Sequence, residues 1–252
     1  MTRQRLKDLA SLHRRKARRQ LGLFLVEGVR SVRSALDAKA PLSDVLLAVE
    51  WEDADGLADQ AAAAGAAVAR VPARDLERVG DAMTSQGVVA VSRSIVGRTL
   101  TTSGPVVVLD GVQDPGNVGA LVRSAAWFGA AAVVSDARTA DFEGPKAVRA
   151  AMGGLWDVEL VRVDDLGPTL DALRSEGIDV WGADMAGTPL RGWRPAEHDV
   201  LVLGSEGHGL SDTARERLTG RVSIPGRAGA RGVESLNVGV AAGVMLAHWL
   251  AT

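Results

Sequence analysis

The segment Leu109-Asp110-Gly111-Val112-Gln113-Asp114-Pro115-Gly116-Asn117-Val118-Gly119, leading on to Arg123, constrains this chain more than any other. Before it, Val106-Val107-Val108-Leu109 is an unbroken apolar run, the pattern of a strand buried on both faces. The run ends in a turn of Asp, Pro and Gly. After the turn, Asn117 reads as an N-cap, and Ala120, Leu121, Ala125 and Trp127 continue as a helix. A strand, turn and helix in this order set backbone N–H groups and polar side chains at the carboxyl edge of a sheet. Open α/β sheets bind ligands at that edge. Arg123, one to two turns into the helix, is within reach of an anion there.

Two later segments repeat the design. Val200-Leu201-Val202-Leu203 is a second buried strand, followed by Gly204-Ser205-Glu206-Gly207-His208-Gly209-Leu210-Ser211. Val222-Ser223-Ile224-Pro225 is a third, followed by the Gly/Arg-rich loop 226–233 and by Glu234-Ser235-Leu236-Asn237-Val238, which opens an apolar helix. Glycine lets bare backbone approach a flat ligand closely. Any one of these glycines alone would be a tight turn. Glu206, a charge in a glycine loop, is expected to pair with an Arg, with Arg123 of a second subunit as a candidate. Ser235 and Asn237 stand at a helix start, where they either cap it or touch a ligand. His208 is of the residue type most used as a general base near neutral pH.

The trio Asn-x-Gly-x-x-x-Arg, Gly-Ser-Glu-Gly-x-Gly-Leu and Ile-Pro…Ser-Leu-Asn-Val resembles the three motifs of the SpoU (TrmH-like) RNA ribose methyltransferases of the SPOUT superfamily, over roughly residues 105–250. The resemblance implies an α/β fold whose C-terminal domain carries a trefoil knot. General topology rules alone would draw an unknotted doubly wound sheet. It implies an S-adenosylmethionine-dependent 2′-O-methyltransferase with no metal, acting on RNA as a homodimer. The catalytic set it implies is Arg123, Asn117, Glu206, Ser235 and Asn237. The cofactor set is Leu203, Gly204, Gly207, Gly209, Ile224, Leu236 and Asn237. The family pattern leaves the position of His208 variable, which demotes it to an RNA contact. The loop 226–233 looks longer than the family usually has.

Four domain segments are expected: a basic N-terminal arm at 1–20, an α/β domain at 21–94, a Gly/Ser/Thr-rich linker at 95–104, and the methyltransferase domain at 105–252. The segments Phe24-Leu25-Val26-Glu27-Gly28 and Ser85-Gln86-Gly87-Val88-Val89-Ala90 resemble the substrate-binding domain of the same family. That domain points to large-subunit ribosomal RNA, with transfer RNA as the alternative. The arm sets eight cations against Asp8, a net +7 that leaves −9 for the rest of a chain of net −2. Such an asymmetry fits an anionic polymer held by counterion release, or else a solvated tail. The chain has no cysteine, which excludes disulfides and thiolate metal sites. Its four scattered histidines offer no zinc spacing. The basic start lacks an apolar signal region, and the run 236–250 is too short to span a bilayer, so a cytoplasmic location is expected. Two other classes compete. A non-catalytic RNA-binding factor of the same fold would not need Asn117, Arg123, Glu206, Ser235 and Asn237 intact. A nucleotide-dependent oxidoreductase would need a Gly-x-Gly-x-x-Gly turn, which Gly204, Gly207 and Gly209 do not supply.

Overall fold

The computed structural model describes residues 1–52, 56–80, 86–101, 103–226 and 235–251. They form two compact units, Met1–Ile95 with Asp141–Asp157, and Val96–Ala140 with Val158–Thr252.

The first unit begins with α1 (Arg3–Ala10), a 3-10 turn and α2 (Arg15–Leu21). Thr2 Oγ1 caps α1 by accepting the Arg5 N–H at 3.2 Å. Gly22 ends α2 in the left-handed region at φ 62°, where a side chain would be strained. Then come β1 (Leu23–Glu27), α3 (Val29–Asp37), β2 (Leu42–Ala48), α4 (Leu57–Ala63), β3 (Ala67–Val71), α5 (Ala73–Val79) and β4 (Val88–Arg93). The sheet order is β1-β4-β2-β3, antiparallel except for the β2–β3 pair.

The expected basic arm is a folded part of this unit. Leu9 and Leu12 are fully buried and join Leu25, Leu46, Leu76 and Val91 in one core. Each contributes about 1.5–3 kcal/mol by burial. Two of the eight cations are tied into the fold. Arg18, 5% exposed, donates to the carbonyls of Leu12 and His13 at 2.8 and 2.9 Å and to Asp141 at 2.6 Å. Arg5 donates to the buried Asp44 at 2.5 Å. Charge density in the sequence hid an apolar stripe of Leu6, Leu9 and Leu12.

The second unit holds β5 (Val106–Asp110), α6 (Pro115–Trp127) and β6 (Ala132–Ser135). The chain then contributes α7 (Pro145–Ala151) to the first unit, where it packs on β1. It returns for β7 (Glu159–Arg162), α8 (Leu166–Ser175), β8 (Val180–Pro189), β9 (Val200–Gly204), α9 (Asp212–Arg215), β10 (Gly220–Ser223) and α10 (Val238–Leu250). Six parallel strands run in the order β10-β8-β9-β5-β6-β7. Alternate residues Val106, Val108, Val134, Val180 and Val202 pack with Leu166, Leu170 and Ala214. The intervening Val107, Leu109, Val133, Leu201 and Leu203 are also buried, as a sheet covered on both faces requires. The expected linker is tied to this unit. Gly97 bridges to Val161, and Thr101 donates its N–H and hydroxyl to Glu159 at 3.0 and 2.7 Å.

Candidate active site

The first loop is built by its leading acid and proline. Asp114, not Asn117, is the N-cap of α6, and its carboxylate accepts the Asn117 N–H at 3.0 Å. Pro115 takes the first helical position, where its missing N–H costs nothing. Asn117, one residue short of a full turn in, therefore keeps its side chain free. Its Nδ2 donates to Glu206 Oε1 at 2.6 Å, and its Oδ1 accepts Asn237 Nδ2 at 3.0 Å. Asn237 is itself the N-cap of α10, accepting the N–H groups of Gly239 and Val240. α10 thus starts three residues later than the sequence suggests. One residue from each of the three motif loops enters a single hydrogen-bonded chain. Within the described chain the partner of Glu206 is Asn117.

That chain stands at the edge of a cavity of about 970 Å³. Leu203, Gly204, Gly209, Ile224, Ser235, Leu236 and Asn237, all expected site residues, line it. Glu206 lines it as well. The cavity wall is closed by backbone. Ser205 and Gly209 exchange hydrogen bonds at 3.0 and 2.8 Å, which folds the second loop back on itself. A Cβ on Gly204 would meet Gly209 O and Leu210 N at 2.5 Å. No side chain fits there, so bare strand-end backbone borders the cavity. Gly207 is exposed and does not line it. His208 is exposed and outside it too.

Arg123 lies elsewhere. It is the ninth residue of α6, so more than two turns in, and it is exposed. Among the described residues it has no hydrogen bond or ion pair, and it does not line the cavity. On the same helix Trp127 is 82% exposed, and on α10 Val240 is 55% exposed. The two helices pack together, with Ala120 Cβ 3.6 Å from where a Gly239 Cβ would stand.

Three groups escaped the sequence analysis. Asp184 lines the cavity from β8, beside Arg215 Nη1 at 3.2 Å and Arg221 Nη1 at 3.6 Å. The Ala186 N–H holds its carboxyl below the usual carboxylate range, against burial and with help from the two guanidinium groups. β8 runs from Val180 to Pro189 and so carries Asp184 to the site. Beneath the loops, buried Asp110 accepts Arg138 Nη2 at 2.5 Å and the Ser211 N–H at 2.6 Å. Asp136 accepts Arg138 Nε at 2.6 Å and the Gly111 N–H at 3.1 Å. Burial pulls the Asp136 carboxyl upward, but hydrogen bonds from Thr139 and Arg138 outweigh it and leave a net lowering. An acid at the end of a buried strand was the readable signal for both. The loop 226–233 lies outside the described residues beyond Gly226, as does Ser85. Among the described residues no group of three or more His, Asp or Glu could hold a metal ion. Among the described residues no helix is long and apolar enough to cross a membrane.

This geometry has counterparts. The SpoU rRNA Methylase family model matches residues 104–247, and the MRM3-like substrate binding domain model matches residues 3–90. The 23S rRNA (guanosine(2553)-2′-O)-methyltransferase RlmP of Bacillus subtilis is 31% identical over 97% of this chain and 95% of its own length. The 23S rRNA (guanosine-2′-O-)-methyltransferase RlmB of Coxiella burnetii is 32% identical over 88% and 92%. The SpoU methyltransferase AviRb of Streptomyces viridochromogenes, solved with S-adenosylmethionine, superposes with a TM-score of 0.86 at 26% identity, covering 98% of this chain and 97% of its own. An rRNA methyltransferase from Sinorhizobium meliloti, also with S-adenosylmethionine, gives 0.85 at 26% identity over 98% and 94%. With two of its motif loops lining one cavity, the third hydrogen-bonded to them and the family model covering more than half its length, the chain belongs to the SpoU rRNA methylase family.

Proposed function

We propose that this protein transfers a methyl group from S-adenosylmethionine to a ribose 2′-hydroxyl of large-subunit ribosomal RNA. The observation that carries the proposal is the Asn117–Glu206–Asn237 chain at the edge of a glycine-bordered cavity. Leu203, Ile224 and Leu236 supply an apolar wall for an adenine. The backbone at Gly204 and Gly209 supplies hydrogen-bonding edges at close range. When bound, the cofactor supplies an electrophilic methyl on a sulfonium. The chain's own work is to bind, orient and stabilise. Asn237 caps α10 and braces Asn117, and Asn117 holds Glu206 at the cavity edge. Ser235, exposed at the same edge, is placed to touch the ribose.

Arg123 acts on the RNA. Its guanidinium stays charged at neutral pH, so it serves as a bidentate phosphate clamp that stabilises negative charge developing on the ribose oxygen. It stands outside its own cavity on a helix face with exposed Trp127. The active unit is therefore a homodimer, with Trp127, Val240 and Val244 covered by a second copy and Arg123 delivered to the partner's cavity. Arg123→Ala is expected to cost at least ~100-fold in turnover while leaving S-adenosylhomocysteine affinity unchanged. Arg123→Lys should recover little, because a point charge does not reproduce the fork.

The test is methyl transfer from labelled S-adenosylmethionine to ribosomal RNA, followed by alkaline hydrolysis. A 2′-O-methyl blocks attack of that oxygen on the adjacent phosphodiester, so the labelled nucleotide resists alkali. Label in an alkali-stable dinucleotide supports the proposal. Label on a base overturns ribose methylation, and transfer to tRNA alone replaces the substrate. Cofactor binding without transfer to any RNA favours a non-catalytic binding factor.

A further inference from the structure

The first unit carries a second cavity, a groove of about 920 Å³ between α1 and α5. Leu6, Ala10 and Val79 supply its apolar residues. Arg3, Lys7 and Arg14 line it from the N-terminal segment, and Arg74 and Arg78 from α5. The one acid lining it is Asp75, in a loose pair with Arg78 at 3.9 Å. Arg3 and Lys7 are four residues apart on one helix, as are Arg74 and Arg78 on the other. Each helix thus presents two like charges on one face, an arrangement that costs isolated helices about 0.2–0.5 kcal/mol per pair. Arg3 and Arg74 also sit in the first turns of their helices, where the backbone dipole disfavours a cation. Among the described residues Arg3, Lys7, Arg14 and Arg74 have no ion pair and no side-chain hydrogen bond, and all are exposed. Within the same twenty residues Arg5 and Arg18 are fully engaged by Asp44 and Asp141. The segment therefore contains both cations that hold the fold and cations that face the groove.

We propose that the α1/α5 groove is an RNA backbone-binding site in which Arg3, Lys7, Arg14, Arg74 and Arg78 contact phosphates, independent of base sequence. The inference rests on the RNA-modifying function proposed above and adds a place for the RNA remote in sequence from the methyl-transfer motifs. Two rows of cations across an open groove, of which only Arg78 has a loose acid partner, fit a chain of phosphates better than one small anion. Phosphate contacts of this kind position a nucleic acid and carry no sequence information.

The test is RNA binding by the full chain, measured by fluorescence anisotropy over a series of KCl concentrations. Two RNAs serve, a ribosomal RNA fragment that the protein methylates and an unrelated duplex of equal length. Arg74→Ala/Arg78→Ala and Arg3→Ala/Lys7→Ala should each weaken binding to both RNAs about tenfold or more at low salt. Each should also flatten the slope of log affinity against log salt by roughly 1.5, the effect of two lost phosphate contacts. Arg174→Ala/Arg191→Ala, which removes two exposed cations of the second unit, should leave the slope within error. S-adenosylhomocysteine binding should be unchanged throughout. An unchanged slope in both groove variants, with wild-type protein binding and methylating RNA, overturns the groove and leaves the enzyme standing. A flattened slope on the ribosomal fragment alone overturns sequence independence. If the wild type neither binds nor methylates RNA, the function itself fails and the groove with it.

Discussion

The edge of the glycine-bordered cavity and the α1/α5 groove are both polar and both exposed, yet they are built on opposite principles. At the cavity edge each polar group spends its hydrogen bonds on another. Asn117 reaches a Glu 89 residues away and an Asn 120 residues away. In the groove the cations have no partner in the described chain, apart from the loose Arg78–Asp75 pair. A closed network fixes positions to fractions of an ångström, which bond-making needs. An open field of charge fixes little, which suffices for holding a polyanion. Shape changes should therefore damage the first and salt should damage the second.

The largest expected effect tests the shape side. Gly204→Ala puts a Cβ on the backbone of Gly209 and Leu210, which cannot yield as a side-chain tip would. S-adenosylhomocysteine affinity is expected to fall by more than ~100-fold, about 2.7 kcal/mol. Gly207→Ala meets nothing within 4 Å and its φ is not in the left-handed region, so affinity should stay within about twofold. Calorimetric titration of both variants checks this. Equal losses would mean that flexibility of the loop, not close approach at Gly204, forms the site.

This pair also shows what the sequence could carry. The motif loops and their strands were legible, because buried parallel strands announce themselves as apolar runs and glycine marks their turns, and six of the seven residues expected to bind the cofactor line the cavity. Gly207 does not line it; composition cannot separate a glycine that borders a cavity from one that turns away. Asn117 as a cap failed for a related reason. The Asp-Pro pair just before it was the stronger start signal, and it freed the Asn side chain for Glu206. The N-terminal segment was misjudged most. Eight cations read as an arm that either meets an anionic polymer or is solvated, whereas Leu9 and Leu12 anchor it in a core and Arg18 is buried inside the unit. Removing residues 1–19 would therefore unfold this unit rather than trim a tail. The departure of residues 141–157 to the first unit had no sequence signal, since nothing local to α7 specifies which core it joins.

A smaller effect separates geometry from charge within the cavity edge. Asn117→Ala removes the donor to Glu206 and the acceptor for Asn237, but leaves the Asp114 cap and the Asn237 cap in place. Turnover should fall about tenfold, the scale of one or two partly exposed hydrogen bonds near 1 kcal/mol each. Glu206→Gln keeps an oxygen that can accept from Asn117 and removes the charge. If the network acts by positioning, Glu206→Gln stays near wild type while Asn117→Ala does not. A larger loss in Glu206→Gln would make the carboxylate charge the working feature. Single-turnover rates at saturating RNA decide between them.

The smallest expected effect lies in the first unit, where fold-holding charges differ from groove charges by being buried. Burial pushes the Glu143 carboxyl above its ordinary value of 4.5, Asp141 adds to the rise, and the Ser94 hydroxyl, the Ile95 N–H and Arg18 only partly offset it. Its hydrogen bonds from Ser94 and Ile95 are 2.7 and 3.0 Å long. A raised pKa means that the folded state binds the proton more tightly than the unfolded chain does. The associated stability is fully present below the ordinary glutamate range and is lost as pH rises through the folded value. Glu143→Gln keeps an oxygen acceptor for Ser94 and Ile95 and cannot ionise. Its unfolding midpoint should match wild type near pH 4 and exceed it near pH 7, by at most about 4 °C. Groove variants such as Arg74→Ala should show no such pH-dependent gap between pH 4 and 7, since they alter no buried carboxyl. Thermal unfolding across that range checks both. A Glu143→Gln protein less stable than wild type at pH 7 would mean that the buried charge holds this unit together through Arg18, as Asp141 does, rather than burdening it.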